Sequence, residues 1–226
     1  MATKRKGMHA KDPDVEMPTL DSPYVVPPYV HTQLVRRVYA LVSVQLGATA
    51  LTAWALAPLW VSALQALHVS LLATVVGLGF VCAFASAQGR HPWNLVAFLG
   101  ITATQAVGMS ALCAVHDPRV VVTCAASAVA LFVLLGAGTW VLGRPPHDLE
   151  ALALSLFLFA GVLSVLLPVT QSSLWGTAGV MAMVLFVVHD TGTLRDLTPD
   201  HALDAALQLY LDALNLFACL VATSSE

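Results

Sequence analysis

Residues 201–220 read HALDAALQLYLDALNLFACL. Twenty residues without Pro or Gly, mostly Leu and Ala, are enough to cross ~30 Å of hydrocarbon as a helix. Only Asp204 and Asp212 are charged within the stretch. At about 100° per residue, with Asp204 at 0°, Asn215 falls near 20°, Gln208 near 40°, His201 near 60° and Asp212 near 80°. Five polar side chains thus share one stripe about a quarter-turn wide or less, and the remaining face is mostly Leu, Ala and Phe. Such a helix needs a wet or protein-filled neighbour on its polar side. Asp212 lies ~12 Å deeper than Asp204. A bare carboxylate at that depth costs a few kcal/mol, so it has to be protonated, paired with a cation or wetted by a pore.

The rest of the chain supplies the setting. It is 58% hydrophobic and 10% charged, whereas soluble domains run near ~25% charged, so most of its surface must face lipid. Seven apolar runs can be marked, at 38–57, 69–87, 93–115, 120–142, 149–167, 174–188 and 202–221. Each must satisfy its own backbone in hydrocarbon, which leaves helices as the only option. Pro58, the stretch Gln88-Gly89-Arg90-His91-Pro92, His116-Asp117-Pro118-Arg119, Gly143-Arg144-Pro145-Pro146 and Pro168 punctuate the runs. The expected fold is all-α, a polytopic membrane protein with a bundle of seven transmembrane helices over 35–226. Residues 1–34 are polar and carry Pro13, Pro18, Pro23, Pro27 and Pro28; they read as a disordered cytosolic tail. No cleavable signal peptide precedes the first run, which would serve as the uncleaved insertion signal.

With the N-terminus cytosolic, Lys4, Arg5, Lys6, Lys11, Arg36, Arg37, Arg90, Arg144 and Arg195 share one side, and only Arg119 lies on the other. That bias is a strong positive-inside signal, and it opposes the topology of hormone-sensing receptors. All three lysines fall in the first eleven residues, which excludes both a basic patch for nucleic acid and an intramembrane lysine for a retinal-type Schiff base. Cys82, Cys113, Cys124 and Cys219 lie in apolar stretches without paired or metal-ligand spacing and read as packing residues. Gly100, Thr104 and Gly108 recur on one face of the third run, as a close helix–helix seam requires.

A second acid, Asp190, ends the sixth run in VVHDTGTLRDLTPD. The link to the seventh run is short, so the two helices are expected to be antiparallel neighbours, with Asp190 and Asp212 able to approach. Two carboxylates in a poorly hydrated site cannot easily both ionise and tend to share one proton. Such a pair can also offer oxygens to Ca²⁺. Asp190 and Asp212 are therefore the candidate proton-sensing and metal-contacting residues, with Asp204, Gln208 and Asn215 continuing the ion path along the stripe.

At these residues the chain resembles the Bax inhibitor motif family, most closely its Golgi anti-apoptotic branch. The resemblance rests on VRRVYALVSVQL at 35–46, HPWNL at 91–95, HDTGTL at 189–194 and LTPDHALDAALQLYLDALNLF at 197–217, and it covers essentially 34–222. The alanine-rich middle and long proline-bearing tail suit a fast-evolving member of the kind viruses carry. The resemblance implies a seven-helix fold with the seventh helix central, a pH-sensitive Ca²⁺ leak across a Golgi or endoplasmic-reticulum membrane, and suppression of cell death. It places the family's two sensing aspartates on Asp190 and Asp212. It also implies a basic partner on another helix, for which Arg90 is the available residue. Gln105 stands where relatives carry a glutamate, a change that would weaken cation passage. No tightly bound cofactor is implied; Ca²⁺ is the permeant ion.

Three other readings compete. An intramembrane aspartyl protease also needs an aspartate on each of two helices, but Leu209-Tyr210-Leu211 precedes Asp212 where those enzymes carry Gly-x-Gly, and their Pro-Ala-Leu segment is absent. A zinc hydrolase lacks its ligand motif, because His68, His91, His116, His147, His189 and His201 are scattered over loop positions. No enzymatic activity is expected. A non-conducting adaptor would bind host membrane proteins or act through the tail, where Pro27-Pro28-Tyr29 matches ligands of WW-type domains.

Overall fold

The structure, a computed structural model, describes residues 28–60, 62–87, 89–142 and 172–224. Among them run six long helices and no strand: α1 (Pro28–Leu56), α2 (Ala63–Ser86), α3 (Trp93–Ala114), α4 (Pro118–Leu142), α5 (Ser172–Thr193) and α6 (Ala202–Ser224). Five segments are long and apolar enough to cross a membrane: Thr32–Leu59, Ala63–Ser86, Trp93–Ala114, Pro118–Thr139 and Pro199–Ser224. The remaining helix, α5, is apolar until it ends in His189-Asp190-Thr191-Gly192-Thr193. The chain is thus an integral membrane protein, all-helical among the described residues. The sixth and seventh apolar runs form α5 and α6. The fifth run, 149–167, and the tail up to residue 27 lie outside the described residues.

Helix ends follow local chemistry. α1 opens at Pro28, inside the stretch expected to be tail up to residue 34. Proline is at home in a first turn, where its missing N–H has no intrahelical partner to lose. A 3-10 turn over Ala57–Leu59, containing Pro58, closes α1. The Ser62 hydroxyl accepts from the Gln65 N–H at 3.2 Å and caps α2, so that helix begins at Ala63, ahead of its apolar run. Gly89, at φ +72°, takes the left-handed turn into α3. α5 runs on past the apolar limit at 188, which puts His189 and Asp190 on the helix rather than beyond it.

Packing uses the small residues. Along the α2–α3 seam, Gly77 faces Thr104, Gly100 faces the Phe80 ring, and Gly108 faces Ala73. α5 and α6 run antiparallel: Gly176 abuts Thr223, and a Cβ at Gly179 would lie 2.8 Å from Cys219 Sγ. α6 packs on α5, α1 and α4 and touches α3. Leu209, Tyr210, Leu216 and Val221 of α6 are fully buried. Polar ties fix the register of these contacts. Thr49 and Tyr210 share a 2.7 Å hydroxyl bond between α1 and α6. Gln45 Nε2 donates to Thr102 Oγ1 at 2.9 Å between α1 and α3. Trp60 Nε1 donates to Ser110 Oγ at 2.9 Å. Inside a bilayer such bonds contribute about 0.6–2 kcal/mol each.

The α5–α6 contact is close enough to be tested by volume. Gly179→Leu is expected to force the two helices apart and cost about 1–3 kcal/mol, read as a lower unfolding midpoint in denaturant titration of the detergent-solubilised protein. An unchanged midpoint would contradict the close approach.

Candidate functional site

Asp212 lies on the inner part of α6 and is 8% exposed. Asp190 lies near the end of α5, partly buried. The antiparallel register that pairs Gly176 with Thr223 and Gly179 with Cys219 continues to these two acids, and their carboxyl groups are within hydrogen-bonding reach of each other. Asp212 Oδ2 is buried with no hydrogen-bond partner among the described residues. Thr191, the next residue along α5, is 1% exposed, and its hydroxyl is likewise buried without such a partner. The Thr193 hydroxyl donates to the Asp190 carbonyl at 2.9 Å.

The remaining expected residues divide. Asp204 and His201 sit 3.3 Å apart at the start of α6, with side chains 29% and 57% exposed. Gln208 and Asn215 are exposed. The polar stripe of α6 therefore does not enter the bundle as a unit. Asp212 lies at its edge, against the buried Ala205, Leu209 and Leu216, and it alone turns inward. Helical periodicity placed all five residues in one sector but could not show which boundary of that sector the neighbouring helices would cover.

Arg90 is exposed in the loop between α2 and α3, and among the described residues no ion pair joins it to either acid. The basic group that meets the pair comes from much nearer. His189 Nδ1 lies 3.0 Å from Asp190 Oδ1, with side chains 15% and 16% exposed. Adjacent helical residues normally diverge, so spacing gave no hint of this contact. The histidine was visible only as part of the HDTGTL string. Gln105 lies on the α2–α3 seam, its Nε2 3.9 Å from the position of a Cβ on Gly77. Pro28 and Tyr29 form the first turn of α1, not the extended backbone a WW-type ligand adopts; Pro27 lies outside the described residues. Among the described residues no group of three or more His, Cys, Asp or Glu side chains is arranged to hold a metal ion.

Comparison with known proteins gives this arrangement a context. The sequence model of the family described as inhibitor of apoptosis-promoting Bax1 matches residues 31–223. The chain is 27% identical over 160 residues to the Golgi anti-apoptotic protein of Vaccinia virus (strain Lister), covering 68% of each. It is 26% identical over 202 residues to Protein lifeguard 4 of Mus musculus, covering 84% of this chain and 83% of that protein. Protein LIFEGUARD 1 of Arabidopsis thaliana is 28% identical over 149 residues.

Juxtaposition of the two acids can be checked chemically. In a background with the native cysteines replaced, Asp190→Cys with Asp212→Cys is expected to form an intramolecular mercury or disulfide bridge, whereas Asp190→Cys with Gln208→Cys is not. Equal yields from both pairs would contradict the arrangement.

Proposed function

The chain belongs to the Bax inhibitor family, and from that membership we propose that it is a pH-sensitive Ca²⁺ leak of an internal membrane, Golgi or endoplasmic reticulum, that suppresses apoptosis. The observation that carries this reading is the meeting of Asp190 and Asp212 inside the helix bundle. An ionised carboxylate only accepts hydrogen bonds, so a bond between two carboxyl groups needs one proton between them. While that proton is held, it clasps α5 to α6. Once it is lost, two like charges face each other in a poorly hydrated site and repel. The clasp then becomes a pair of anionic oxygens, with Asp212 Oδ2 already free of partners among the described residues.

Ca²⁺ takes about six to eight oxygen ligands, and two carboxylates offer about four at most. That shortfall suits an ion in passage rather than a resident one. Asp204, exposed Gln208 and Asn215 would mark the approach along the outer face of α6. In this reading 149–167 supplies a further crossing, giving seven in all with the α6 segment central. The N-terminus is cytosolic, supported by the nine-to-one distribution of Lys and Arg. The anti-apoptotic activity named for the Vaccinia relative supports the cellular role.

The test is a flux assay. Purified protein in liposomes is expected to pass Ca²⁺ at rates that differ between pH 6 and pH 8. Asp212→Asn, near-isosteric but unable to ionise, is expected to fold and to lose that pH difference. Flux equal to that of empty liposomes at every pH would refute the leak, and an unaltered pH response in the variant would refute the sensor.

A further inference from the structure

α1 and α4 both pack on α6, and they meet at one end, where the Tyr39 ring stands edge-on to Phe132 with centroids 6.3 Å apart. The Tyr39 hydroxyl there sits against Gly136, 3.0 Å from where a Cβ would be. Beyond that junction the two helices enclose a cleft of about 690 Å³, within the ~300–1,000 Å³ range of small-molecule sites. Its α1 wall runs from Tyr39 to Pro58, about 28 Å of helix and close to the ~30 Å thickness of the hydrocarbon layer. The walls are apolar, Val42, Leu46, Val129 and Phe217 among them. Of the three hydroxyls in its lining, Tyr39 lies at the junction with α4, Ser43 donates to the Tyr39 carbonyl and Thr49 is engaged with Tyr210. Nothing there rewards water, and leaving the space empty would forfeit dispersion contacts along its whole length.

The charged groups at the two mouths differ. Arg36 falls on the cleft face of α1, about 60° from Tyr39 and one turn beyond it, and both Arg36 and Arg37 are exposed. α1 itself contains no acidic residue; the turn Pro199–His201, which carries Asp200, packs against α1. The Tyr39 hydroxyl donates no hydrogen bond to the described residues. At the opposite mouth, Arg119 follows Asp117, which offsets its charge, and the Asp117 carboxylate accepts from the Arg119 N–H at 2.7 Å.

We propose that the cleft between α1 and α4 holds an acyl chain of an anionic phospholipid, whose headgroup phosphate is received by Arg36 and the Tyr39 hydroxyl. Hydrocarbon meets the apolar walls, and the anionic headgroup meets the exposed Arg36 at the membrane surface, where tyrosine also prefers to lie. The site is separate from Asp190, and it does not depend on which ion the protein passes.

Photolabelling of the full chain in nanodiscs tests this. The probes are phosphatidylserine and phosphatidylcholine carrying the same diazirine-bearing acyl chain, with adducts located by mass spectrometry. Adducts are expected to concentrate on residues 43–54 and 121–133 over the outward Leu71 and Leu72 of α2, with phosphatidylserine favoured. Arg36→Gln should reduce that preference by roughly fivefold while leaving phosphatidylcholine labelling unchanged. Ala125→Phe should lower cleft labelling by both lipids. Should that variant fail to fold, the substitution of Arg36, which is exposed and outside the packed core, still decides the matter. Labelling spread evenly over the cleft and α2, or cleft labelling indifferent to the headgroup, would overturn the proposal.

Discussion

A carboxyl group carried to the interior of a membrane helix has few ways to be tolerated, and the contact between Asp212 and Asp190 is the one this bundle provides. It depends on α5 and α6 lying very close together. Gly176 and Gly179 allow that approach, because side chains there would collide with Thr223 and Cys219. The same register that brings glycine against α6 at one end of α5 brings Asp190 against Asp212 at the other. Small residues and buried acids are therefore one design: the first sets the spacing, and the second exploits it.

α6 can carry a buried acid because the rest of it is held firmly. It is the most enclosed of the membrane-spanning helices, with its apolar face against α1, α4 and α5. Tyr210, two residues before Asp212, is fully buried and bonded to Thr49 of α1. A change in the carboxyl pair thus occurs beside a fixed point. α1 is in turn tied to α3 by Gln45 and Thr102.

Much of this was legible in the amino-acid order. Spans 93–115 and 120–142 agree with α3 and α4 to within about two residues, because proline and polar turns bound them on both sides. The small-residue face at Gly100, Thr104 and Gly108 proved to be the α2–α3 seam. Asp190 and Asp212 were singled out because an acid at membrane depth is costly and the intervening link is short. What the order did not disclose were contacts that periodicity does not encode. His189 bends toward its own neighbour Asp190. Arg90 stays in an exposed loop. The polar stripe of α6 splits, because coverage by neighbouring helices, not the stripe itself, decides which member is buried. The start of α1 was also misplaced, since Pro27-Pro28 reads equally well as a broken tail or as the first turn of a helix.

The proposed pH-sensitive leak requires a proton held between Asp190 and Asp212, and carboxyl infrared spectroscopy of the protein in lipid would observe that proton most directly. A protonated-carboxyl C=O band is predicted to be present at neutral pH, to disappear as pH rises, and to be absent or shifted in both Asp190→Asn and Asp212→Asn. A spectrum without such a band at neutral pH, or a band that both variants leave untouched, would contradict it.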